Sequence, residues 1–117
     1  SAEMVRKVDA CGVLSGKGTD KFSSMGWKQV PAQKVKPPLI DECPVQMECK
    51  VKEIVSLGSH DLFLSEIVAL HVKEEVQKEE GRIDITQALP FVFCPGANEY
   101  WNLGKCIGHY GFTKGKP

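Results

Sequence analysis

Residues 45–52, VQMECKVK, place Val45, Met47, Cys49 and Val51 in strict alternation with Gln46, Glu48, Lys50 and Lys52. A period of two cannot form one apolar stripe on a helix, so the run predicts a strand with one face covered and one wet, as in an antiparallel sheet. SLGSHD (56–61) supplies turn residues. The next run, LFLSEIVALHV (62–72), is β-branched, aromatic and almost continuously apolar, and reads as a strand covered on both faces. Together they predict a β-hairpin, which needs further strands or helices to hide its apolar side chains.

The flanking segments are short and broken. Met4, Val5 and Val8 fall at helical spacing behind Ser1, a possible cap, with Gly12 as the expected stop. SGKGTDKF (15–22) is a turn-rich loop, and Asp20 to Met25 predicts one helical turn ending before Gly26. VPAQKVKPPLIDECP (30–44) holds four prolines and is expected to run extended over the surface. KEEVQKEEGR (73–82) reads as a solvated charged loop, and Phe91 to Cys94 as a brief strand. The pattern supports a mainly β chain of roughly four strands with two short helices. A closed barrel needs about six to eight strands.

Bulk properties narrow the function classes. A length of 117 residues allows one domain at most. Fifteen basic residues balance fifteen acidic ones, so no net field attracts nucleic acid or an anionic membrane. No apolar run approaches the roughly 20 residues of a membrane-spanning helix, and SAEMVRKVDA lacks the pattern of a signal peptide. Five widely spaced cysteines contain no CxxC pair and have no histidine at zinc-ligand spacing. Reduced, mostly buried thiols in a cytoplasmic protein, with no metal site, are the expectation.

Single motifs are weak. CGVLSGKGT fails the phosphate-loop pattern, because only three residues separate Gly12 from Gly16 and Gly18 follows Lys17. Its glycines and lysine could form an anion nest or a plain connection. His60 alone reads as a polar turn residue, and His71 within an apolar strand as structural. Tyr100 and Trp101 read as packing material. GFTKGKP at the end reads as an exposed basic tail. Residues 94–116 nevertheless crowd five glycines and four aromatic rings into one segment.

The order of the blocks is more specific. VDACGVLSGKGTDKF, PPLIDECPVQMECKV, GSHDLFLSEIV, GRIDI and LPFVFCPGANEYWNLGKCIGHYGFTKGK together resemble the flavin reductase-like family, nearest its flavoredoxin-type branch. The resemblance implies an FMN-binding split barrel of Greek-key type, dimeric, with FMN near the subunit interface and NAD(P)H or another donor reducing it. The protein's part would be to hold the flavin and tune its surroundings. By the same resemblance, Ser15, Gly16, Lys17 and Lys21 lie near the cofactor, with Asp20 and Phe22 also matching. Gly58, His60, Phe63 and Glu66 match the strand-turn block, and His60 would face the flavin as the candidate catalytic group. Tyr100 and Trp101 match the aromatic pair of the closing segment.

Family members carry about 70 to 90 further residues before the first matching block, judged against ordinary domain sizes. These include a lysine–threonine loop that grips the FMN phosphate. Residues 1–117 are therefore expected to form the later part of the domain, a partial barrel with weak or absent FMN binding by itself. It should pair with a second copy or with a complementary N-terminal fragment. The alternative is a non-catalytic β-domain serving assembly or ligand binding.

Overall fold

The computed structural model describes residues 1–115. The tail reading at 111–117 thus falls partly outside the described residues. Ser1 and a 3-10 turn at Ala2–Met4 lead into helix α1 (Val5–Val13). Gly12 lies inside α1 rather than ending it, and the helix stops where Leu14 turns extended. Helix α2 (Lys21–Met25) forms as expected: the Asp20 carboxylate accepts from the N–H of Phe22 and Ser23, and Gly26 closes it in the left-handed conformation at φ 61°.

Among the described residues six strands follow, more than the four expected, in three separate two-stranded antiparallel sheets. β1 (Gln29–Val30) pairs with β2 (Leu39–Ile40), closing the proline-rich segment into a loop. β3 (Val45–Ser56) pairs with β4 (Asp61–Val72) in the long hairpin, joined at Leu57–His60 with Gly58 at φ 87°. Register shifts near Cys49 and Val51 mark bulges, which raise local twist. β5 (Phe91–Cys94) pairs with β6 (Glu99–Asn102). Helix α3 (Ile85–Ala88) precedes β5, capped by Asp84 and ended by Leu89 at φ 48°. Residues 73–82 are more ordered than a solvated loop, with 3-10 turns at Glu74–Val76 and Glu79–Gly81 that bury Val76. Strands with short helices are thus confirmed, but the described strands close no barrel.

The core is small. Val76, Ala88 and Glu48 are the buried residues among those described. β4 is not covered on both faces: Leu62, Phe63, Leu64, Ile67 and Leu70 are exposed, and only Val68, Ala69, His71 and Val72 toward its end are half-buried. β3 overturns the expected facing. Its period of two is real, yet Met47 and Val51 are 56% and 54% exposed, while Glu48 from the polar set is 1% exposed. The reason is local, since the loop between β1 and β2 lies against Glu48 and no described segment covers Met47 or Val51. The thiols also differ from expectation. All five are free, but Cys49 and Cys106 are exposed and the other three half-buried.

The accessible surface is 9601 Å², against about 6,300 Å² for a compact monomer of this mass. The radius of gyration is 17.2 Å, against about 13 Å for a compact chain of this length. Exposed large apolar side chains lie along the hairpin and β5–β6, and also on α1, around α3 and in the closing segment, where Ile107 and Tyr110 are each 98% exposed.

Candidate functional site

Ser15, Gly16 and Lys17 lie in an exposed turn after α1, where the Lys17 N–H donates to Ser15 Oγ at 3.3 Å. A Cβ at Gly16 or Gly18 would meet no atom within 4 Å, so this backbone is open to a ligand. Lys21 points back: its Nζ donates to the Cys11 carbonyl at 2.6 Å, satisfying an acceptor in the last turn of α1. It fixes the path of the loop instead of projecting from it.

His60 is exposed at the tip of the hairpin, its Nδ1 3.0 Å from Ser59 Oγ. Further along the hairpin, Phe63 pairs in register with Ile54 and is 56% exposed, and Glu66 bonds Lys52 at 2.6 Å. The aromatic pair divides its roles. Tyr100 packs on Phe93 and Phe91 at 5.0 and 5.8 Å between ring centroids, and its hydroxyl donates to Asp9 at 3.0 Å. The hydrogen bond to Asp9, then partial burial, raises the Tyr100 pKa and keeps the phenol protonated. Trp101 keeps its ring exposed, with its indole N–H on Glu99 at 2.8 Å.

Of these residues, Tyr100 lines a described cleft, about 280 Å³, with Val5, Arg6 and Asp9. Three other clefts gather around Ile85. The largest, about 500 Å³, runs from Lys78 and Ile83 to Leu103 and Ile107, and none of the three contains a residue expected from the sequence. The glycine loop, the hairpin tip and Trp101 are each exposed, and none of them lines one of these clefts. Among the described residues no cluster of three His, Cys, Asp or Glu could hold a metal ion, and no helix is long and apolar enough to cross a membrane.

One polar constellation escaped the sequence reading. The Glu48 carboxylate accepts from the backbone N–H of Gln33 (2.8 Å), Lys34 (2.5 Å) and Val35 (3.1 Å), and lies 2.6 Å from His71 Nε2. Burial pushes its pKa up, but the donors of Gln33, His71, Lys34 and Val35 outweigh that and hold it at about 2. A glutamate on the wet side of an alternating strand gives no signal of this role. The structural reading of His71 fits its place here. Trp27 Nε1, by contrast, is buried with no partner among the described residues.

The fold is shared with solved proteins. Flavoredoxin of Desulfovibrio vulgaris (Miyazaki F) superposes with a TM-score of 0.88 at 33% identity, over 99% of this chain and 61% of that one. Flavoredoxin from Methanosarcina acetivorans gives 0.83 at 31% identity, over 97% and 59%. A protein of Archaeoglobus fulgidus is 37% identical over 83 residues, 71% of this chain and 46% of its own length. Residues 1–101 match the Flavin reductase like domain, and the chain belongs to that family. The match begins at the first residue and does not support the expectation that the chain holds only the later half of the domain. The chain spans less than half the length of curated relatives that it matches.

Proposed function

We propose that this chain is part of an FMN-dependent, flavin reductase-like electron-transfer protein of the cytoplasm. In it NAD(P)H or another donor reduces the flavin, which passes electrons onward. Family membership supports the flavin and the redox class. The single observation that carries the reading is the 0.88 superposition on a flavoredoxin over 99% of the chain.

The residues present fit part of such a cofactor. Ser15, Gly16 and Lys17 offer a hydroxyl, open backbone and an ammonium to an anionic group such as a phosphate. Trp101 offers an exposed ring face for the flat heterocycle. His60 would donate to the flavin edge, or as a cation offset charge on the reduced ring. Lys21 supports the loop through Cys11, and Tyr100 sets β6 against α1 through Asp9. Bound flavin would supply the electron chemistry itself. Because the glycine loop, His60 and Trp101 are each exposed, enclosure of the ring would need a second copy or a further polypeptide.

FMN fluorescence separates the possibilities. The isolated chain should quench it weakly or not at all, whereas the complete domain should copurify with flavin and oxidise NAD(P)H. A complete domain that is colourless and does not quench FMN would overturn the reading in favour of a non-catalytic β-domain.

A further inference from the structure

The loop at residues 31–38 leaves and rejoins the fold at adjacent points. Its ends are pinned by the β1–β2 pairing, Val30 opposite Leu39 and Gln29 opposite Ile40, and Ile40 N–H also donates to Gln46 Oε1 at 2.7 Å. A loop of this length with adjacent ends is an Ω-type excursion, able to move without disturbing what flanks it. Its eight residues include Pro31, Pro37 and Pro38, leaving five N–H donors, and three of those five end on one carboxylate. That carboxylate, Glu48, has no exposed side-chain surface and stands on β3, with His71 of β4 on its Oε1.

We propose that Glu48 is a latch: its carboxylate occupies an amide nest formed by Gln33, Lys34 and Val35, and this occupancy decides whether the loop lies closed over the polar face of the hairpin. Consecutive N–H groups converging on one anion are the general form of a backbone anion site. Here the anion comes from the chain itself. Opening would bare the Glu48–His71 pair to solvent while β1–β2 and β3–β4 stay paired. His71, as one donor of four, orients the carboxylate and is a positioning residue.

Trypsin reads this directly. Lys34–Val35 is a cleavable bond inside the nest, and both of its flanking N–H groups are held by Glu48 Oε2. Lys36 precedes Pro37, so that bond resists the enzyme. In Glu48→Ala, cleavage after Lys34 should quicken on the order of tenfold, because the open population rises. Lys50 and Lys52 inside β3 should stay protected. Glu48→Gln, which keeps the shape but not the charge, should fall between, and His71→Phe should change the rate less than Glu48→Ala. Added formate should slow cleavage again in Glu48→Ala by refilling the nest. An unchanged rate after Lys34, acceleration at Lys34, Lys50 and Lys52 together, or no formate rescue would each overturn the latch.

Discussion

Glu48 is one source of acid sensitivity in this chain. Its carboxyl titrates at about 2 in the folded chain against an ordinary 4.5. A depressed carboxylate stabilises the fold fully above its unfolded value, and that contribution is lost as pH falls from about 4.5 through about 2. Asp20 and Asp84 are shifted the same way, through side-chain and backbone bonds at their helix caps, and Asp41 through its bond to the Lys28 ammonium. Wild type alone cannot separate the four, but Glu48→Gln can. The melting temperature of the wild type should drop by several degrees over that interval, and the Glu48→Gln profile should be visibly flatter there while lying lower at neutral pH. Parallel profiles for the two proteins, recorded by circular dichroism against pH, would refute this assignment.

At the scale of elements, the short helices depend on their ends more than on their length. Five residues in α2 and four in α3 are far below what stands alone in water. Each begins on an aspartate cap and ends on a left-handed residue, Gly26 in one case and Leu89 in the other. Gly26 has open space around a notional Cβ, so Gly26→Ala isolates the backbone cost of φ 61°. It should destabilise by about 1–2 kcal/mol, measured by urea denaturation. Leu89→Gly should relieve the corresponding strain at φ 48° and cost less stability than a leucine deletion within a packed core. The sequence announced the first of these ends through its glycine. It was silent on the second, because leucine is not a left-handed residue by preference; Pro90 after it disfavours the right-handed helical region at Leu89.

For the molecule as a whole, the governing fact is the uncovered apolar stripe on the hairpin. Cross-strand neighbours Met47–Leu70, Cys49–Ile67 and Ile54–Phe63 succeed one another along it, each more than a third exposed. Patches of this kind mark an interaction surface. The excess over a compact monomer, about 3,300 Å², exceeds the standard specific interface of about 1,600 Å². At micromolar concentration the chain should sediment heavier than its 12.9 kDa monomer and bind the dye ANS. Ile67→Glu should shift it toward monomer while leaving the hairpin's β-signal intact. A monodisperse monomer that ignores ANS would contradict this.

The sequence by itself determined the local frame: the hairpin from a period of two and α2 from Asp20 and Gly26, whereas the proline-rich segment expected to run extended is folded back by the β1–β2 pairing. The hairpin and α2 follow from interactions between residues close along the chain, and a single sequence contains them in full. What covers each face was decided only in three dimensions. The same alternation that predicted β3 assigned Met47 inward and Glu48 outward, yet the loop at 31–38 buries Glu48 by offering three N–H groups to its carboxylate, and no described segment covers Met47. Burial is set by whichever segment packs against a face, and that segment can lie anywhere along the chain, or outside it.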